Sequence, residues 1–103
     1  MRPFVFNLSE HSNRQRNPIL TGENAIRMKS GLIVLQESEE IGEHNTNEKE
    51  ELIVVLEGKA TVEIDGQVFC EVQPGSAVFI PSSTLHNVIN RADSKLRYIH
   101  IVA

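Results

Sequence analysis

Apolar residues in this chain alternate with polar ones or run unbroken for four or five positions, and nowhere do they mark a helical stripe over ten residues. The pattern predicts strands. FVFNL at 4–8 reads as a short strand, followed by a polar linker at 9–18 in which Arg14 and Arg16 are either solvated or contact a ligand or subunit. At 25–35 the sequence AIRMKSGLIVL reads as two strand segments broken at Ser30 and Gly31 by a bulge or tight turn. ELIVVLEG at 51–58 is apolar on both faces, with Leu52, Val54 and Leu56 on one and Ile53 and Val55 on the other. Two-sided burial there implies that one face lines a barrel and the other meets a second sheet or a second copy. KATVEIDGQVFCEV holds two alternating runs around Asp65-Gly66, the pair favoured in a type I′ hairpin turn. AVFI, LHNVIN and LRYIHIVA supply three more strands, with a turn at Pro74-Gly75 and a loop at 81–84. Short strands at 8 to 12 residue spacing with turn signals between them indicate an all-β sandwich or barrel.

Length and composition narrow the class. At 103 residues the expectation is one domain with one core, its first 24 residues forming an N-terminal strand or arm. No stretch of about eighteen apolar residues is present, and the N-terminal apolar patch is too short for a signal peptide, so no membrane partner and a cytoplasmic location are expected. The lone Cys70 forms no internal disulfide and reads as a small buried hydrophobe. The net charge of −4 divides unevenly: residues 1–36 carry five basic and two acidic side chains, residues 37–103 five and twelve. An acidic body with a sparse basic head argues against nucleic acid as a partner.

The chemistry concentrates in two stretches, GEHNTNEKEELIVVLEG at 42–58 and PGSAVFIPSSTLHNVIN at 74–90. In the second, Gly75, Pro81, His86 and Asn90 stand at spacings that resemble the second motif of the cupin family, with Ser83 where that motif has a glycine. In the first, His44, Glu51 and Gly58 resemble the first cupin motif, with Thr46 in place of its second histidine. The resemblance covers about residues 31–103. It implies a double-stranded β-helix, the jelly-roll cupin barrel, with motif residues at its mouth commonly holding Fe, Mn, Ni or Zn.

The residue chemistry points the same way, because two imidazoles and a carboxylate suit a divalent first-row metal and leave positions open for a ligand. The candidate set is His44, Glu51 and His86. Glu50 rivals Glu51, since a register slip of one residue would exchange their faces. Thr46 is either a good strand former or a hydroxyl donor in the pocket, and His100 and Asn90 are further pocket candidates. Arg27, Met28, Ile53, Val55, Phe79 and Val88 compete with them for inward positions. His11 is expected in solvent and Tyr98 in packing. Two functions stand: a metal-dependent enzyme acting on a small polar metabolite, dioxygenase-like or isomerase-like, or a non-catalytic binding module with a degenerate site and no metal. A homodimer is expected in both.

Overall fold

Nine strands carry the chain in a computed structural model that describes all of residues 1–103. They are β1 Arg16–Leu20, β2 Lys29–Leu35, β3 His44–Asn45, β4 Glu51–Glu57, β5 Ala60–Ile64, β6 Gln67–Val72, β7 Ala77–Ile80, β8 Leu85–Ile89 and β9 Leu96–Val102. Every pairing is antiparallel, in one sheet ordered β1-β2-β9-β4-β7 and another ordered β3-β8-β5-β6. Their inner faces enclose one cluster of buried apolar side chains, including Leu35 from β2, Ile53 and Val55 from β4, Val62 from β5, Val88 from β8 and Tyr98 from β9. This is the jelly-roll, double-stranded β-helix arrangement that the pattern of short alternating strands implies.

The alternation on β4 sets the geometry. Glu51, Ile53 and Val55 are buried on the inner face, while Leu52 on the outer face is 37% exposed. Register then extends that inner wall across the sheet: Ile53 faces His100, Val55 faces Tyr98, His100 faces Gly31, Tyr98 faces Ile33, and Ile33 faces Arg16. Directly opposed residues in an antiparallel pair send their side chains to the same face. Arg16, Gly31, His100 and Glu51 therefore share one wall of the barrel.

Between β5 and β6, Asp65 and Gly66 both take positive φ, 51° and 79°, as a type I′ turn requires. The register shift of this hairpin lies between Val62 and Glu63.

The N-terminal third differs from the sequence expectation. Residues 4–8 form no strand; a single 3-10 turn, Leu8–Glu10, begins at the last of them. This arm is held instead by Arg97, whose guanidinium donates to the carbonyls of Leu8 and His11. Arg97 stands opposite Val34 in register, so the arm crosses the outer face there. Leu32 and Val34, on the outer face of β2, are buried as well, outside the core cluster. His11 is not the free solvated side chain expected, because its ring stacks on Phe6 with centroids 4.5 Å apart and is half-buried.

The polar segment 9–18 contains the first half of β1. Pro18 is tolerated because β1 is an edge strand, where a missing N–H costs no ladder bond on the open side. No break occurs at Ser30 and Gly31, since β2 runs through them, and residues 25–28 lie outside any strand. The irregularity sits across the ladder on β1, between Pro18 and Leu20. Cys70 is half-buried against the core, and burial pushes its thiol pKa up.

Candidate metal centre

Short β3 exists to present one side chain. It pairs with β8 so that His44 stands opposite His86, their ring centroids 4.1 Å apart and the rings tilted by 59°. β4 reaches them from the other sheet with Glu51, whose Oε1 lies 3.1 Å from His86 Nε2 and 3.6 Å from His44 Nε2. Donor atoms of the three residues all fall within 4.8 Å of one another. His86 and Glu51 are buried, 1% and 6% exposed, while the His44 side chain is 47% exposed. The cluster is closed behind and open at His44.

Backbone carbonyls fix which nitrogens face the centre. His44 Nδ1 is 3.0 Å from Gly42 O, and His86 Nδ1 is 3.0 Å from Thr84 O. A carbonyl only accepts, so each Nδ1 donates, and each neutral ring keeps its lone pair on Nε2. Two imidazole lone pairs and a carboxylate oxygen thus converge with no donor among them. A proton on either Nε2, or a metal ion, can occupy the point between them.

The pKa values describe the proton-bearing form. Burial alone would push the Glu51 carboxyl up, but the hydrogen bonds from His44 and His86 outweigh it and hold the group at about 2. The same contact with Glu51 raises His44 above its ordinary value, against the opposing effect of burial, and the Gly42 carbonyl adds to it. Two nitrogens and one anionic oxygen are a donor set suited to Fe, Mn, Ni or Zn. This His-Glu-His cluster is capable of holding such an ion.

Several neighbours hold the cluster in place. Thr46 Oγ1 donates to Pro81 O at 2.6 Å and accepts from Thr84 N–H at 3.1 Å, while Thr46 N–H donates to Thr84 O. Thr84 O is the same carbonyl that orients His86. The Thr46 hydroxyl is therefore committed to backbone, and its contribution to the site passes through Thr84. Asn87 accepts from Gly42 N–H and donates to Glu40, fixing the loop that carries His44. Ser83, standing where the family motif has glycine, adopts φ 55°, so the left-handed turn is kept without that glycine.

Other candidates fall elsewhere. Glu50 is exposed, its backbone paired with Ala103, so Glu51 and not Glu50 faces the histidines. Asn90 is fully buried at the far end of β8, where its amide donates to Leu35 O and Ser94 O and its carbonyl accepts from Ala92 N–H. It closes the 90–94 turn and takes no part in the pocket, because β8 runs away from His86 toward it. His100 is on the shared inner wall yet outside the 4.8 Å cluster, its pKa lowered by burial with Glu51 opposing. Phe79 points outward and is 55% exposed, and Arg27 and Met28 line a separate apolar cavity of about 810 Å³ beside the N-terminal arm. Asn87 and Thr84 had no signal in the sequence beyond lying next to His86.

The family model described as Cupin domain matches residues 31–102. The chain belongs to the cupin family. This cupin is 30% identical over 108 residues to "Polyketide synthase CurC" of Streptomyces cyaneus, covering 96% of the chain and 68% of that protein. Among solved structures it resembles BH2720 of Bacillus halodurans, at 26% identity and TM-score 0.84, with 99% of this chain and 81% of that one covered. TT1209 of Thermus thermophilus superposes with TM-score 0.83 at 21% identity, over 96% and 95% of the two chains, a likeness of fold alone.

Proposed function

We propose that this cupin is a metal-dependent protein whose ion is held by His44 Nε2, Glu51 Oε1 and His86 Nε2, and which acts on a small oxygen-bearing metabolite entering at the His44 side. The carrying observation is that His44, Glu51 and His86 bring metal-ligating atoms within 4.8 Å of one another, with both Nδ1 atoms turned to backbone carbonyls and both Nε2 atoms toward Glu51. When bound, the ion would supply Lewis acidity to a substrate oxygen. The chain's own residues orient and enclose: Gly42 and Thr84 aim the imidazoles, and the burial of Glu51 and His86 keeps bulk water from one side. The relative named as a polyketide synthase supports a carbonyl-rich substrate.

Elemental analysis of purified protein, with melting curves in Fe(II), Mn(II), Ni(II) and Zn(II), tests this. Stoichiometric metal and a raised Tm that His86→Ala abolishes are expected. No metal and no shift with any of the four would overturn it.

Thr46 favours a second reading, a non-catalytic binding module, because it leaves three protein donors where the family motif has a further histidine. In that case ligand affinity stays the same with and without metal. For either function we propose a homodimer through the outer face of β4 and β7, where Leu52 and Phe79 are exposed. Phe79→Asp would then convert a dimer to a monomer in sedimentation; an unchanged mass would reject this interface.

A further inference from the structure

We infer that the inner wall beside the histidine cluster carries a separate subsite for a small carboxylate, with Arg16 as its anchor. A cleft of about 200 Å³ lies there, lined by residues of three adjacent strands that include Arg16, Lys29, Ser30, Gly31 and His100. Arg16 faces Ile33 in register, and Ile33 belongs to the core cluster, so Arg16 stands on the inner-face side of the edge strand, solvent-exposed at the mouth of this cleft. One of its N–H groups donates to Ile41 O at 3.2 Å, which anchors the side chain to the loop leading to His44. It forms no ion pair with any carboxylate of the chain. Four further donors in a planar fork are left for a ligand, and a fork matches a carboxylate in two-point contact.

The rest of the cleft suits the same ligand. Lys29 and Gly31 fall on the inner face with Ile33 by strand alternation, so a second cation stands at the rim of the cleft. Gly31 leaves room for His100: a Cβ there would sit 3.1 Å from His100 Nε2 and 3.2 Å from Asn17 O. That imidazole carries no hydrogen bond to another residue of the chain and offers a ring nitrogen to the cleft. His100 pairs with Ile53, the next inward residue after Glu51 on β4. A carboxylate on Arg16 would thus place the remainder of a short metabolite toward the His44–Glu51–His86 cluster, a placement that rests on the metal reading above, whereas the subsite itself does not.

The test uses metal-free protein, stripped with chelator and desalted, in nitrogen-15 amide NMR titrations at fixed ionic strength. Pyruvate and acetate serve as probes, with acetamide as the neutral analogue and inorganic phosphate as a second anion. Pyruvate is expected to shift the amides of Ser30, Gly31 and His100, and acetamide to leave them in place. Arg16→Gln should weaken pyruvate at least tenfold and Arg16→Lys less. Gly31→Ala, which removes no charge, should weaken it as well by moving His100 into the cleft. Equal affinity in wild type and Arg16→Gln, shifts confined to other residues, or binding of phosphate without carboxylates would each overturn the subsite. His86→Ala separates the two ideas: it should abolish metal uptake and leave pyruvate binding within twofold. Loss of pyruvate binding in folded His86→Ala would count against an independent subsite, and pyruvate binding in a protein that never takes up metal would leave only the metal reading overturned.

Discussion

Replacing Glu51 by Gln removes one charge from the cluster while keeping a side chain of nearly the same shape. In the metal-free protein the Glu51 carboxyl is held at about 2 instead of 4.5, because burial, which would raise it, is outweighed by the hydrogen bonds that His44 and His86 donate. That difference corresponds to about 3 kcal/mol, as an upper figure. Since the folded-state value is depressed, this stability is fully present above pH 4.5 and is lost as pH falls toward 2. His44 is the other side of the same interaction, so its raised pKa adds no second contribution. Its sign is opposite: the contact is present below 6.5 and fades as pH rises through the folded-state value of His44. The contact is therefore strongest between about pH 4.5 and 6.5. Urea unfolding of metal-free wild type and Glu51→Gln across pH 2 to 8 measures this, because the other carboxylates contribute equally to both and cancel in the difference. Wild type should exceed the variant most at pH 5 to 6, and the gap should shrink at both ends. Addition of Zn(II) at about a hundred times its Kd should stabilise wild type by about 2.7 kcal/mol, and the same concentration should leave Glu51→Gln nearly unchanged. Parallel stability curves for the two proteins would refute the assignment of the Glu51 shift to the histidines.

Thr46→Val leaves Thr84 N–H and Pro81 O without their partner, which should cost about 2 kcal/mol in urea unfolding. By loosening the carbonyl that aims His86, it should also weaken metal binding about tenfold in calorimetric titration. Gly58 has φ +81°, and a Cβ there would overlap the carbonyl oxygen of Lys95, so Gly58→Ala should destabilise by more than about 2 kcal/mol. Gly66→Ala, with a similar φ but open space around it, should cost only about 1 kcal/mol in the same assay. Asn90→Ala removes two donated bonds and one accepted bond at a fully buried site and should cost about 3 kcal/mol, with metal affinity unchanged once the protein is folded.

The strands from β4 onward were legible because each alternates or is bounded by a turn with its own chemistry. Asp65-Gly66 and Gly75 all take positive φ where the turn signals stood. The first thirty residues were not legible, and the reasons are particular. FVFNL has strand composition, yet its backbone pairs with no strand, and its last carbonyl, that of Leu8, is fastened by Arg97 from the strand at the other end of the chain. Arg16 to Leu20 has linker composition and a proline, yet it pairs with β2 because an edge strand forgives both. Local propensity decided neither case; the availability of an edge did. For the site, spacing alone separated Glu51 from Glu50, and the alternation of β4 explains why the choice is physical: a slip by one residue would also turn Ile53 and Val55 out of the core. What spacing could not show is that Asn90, a motif residue, serves the fold instead of the pocket.

Thr46 carries a separate consequence, since it stands where the family motif has a histidine. A histidine there would add a fourth donor, whereas the threonine holds the 81–84 loop through two hydrogen bonds. The consequence is a centre with three protein donors at most, two of them buried and one at the surface. Fewer protein donors lower intrinsic affinity for the ion but leave more coordination positions for a ligand. Such a site gains from anything that holds the ligand independently of the ion. Arg16 and His100, on the same inner wall, are placed to do so. Under that division of labour, Arg16→Gln should raise KM or Kd for an acidic metabolite without altering metal content, while His44→Ala should do the reverse. A variant at Arg16 that lost metal along with ligand would show that the two functions are one site, not two.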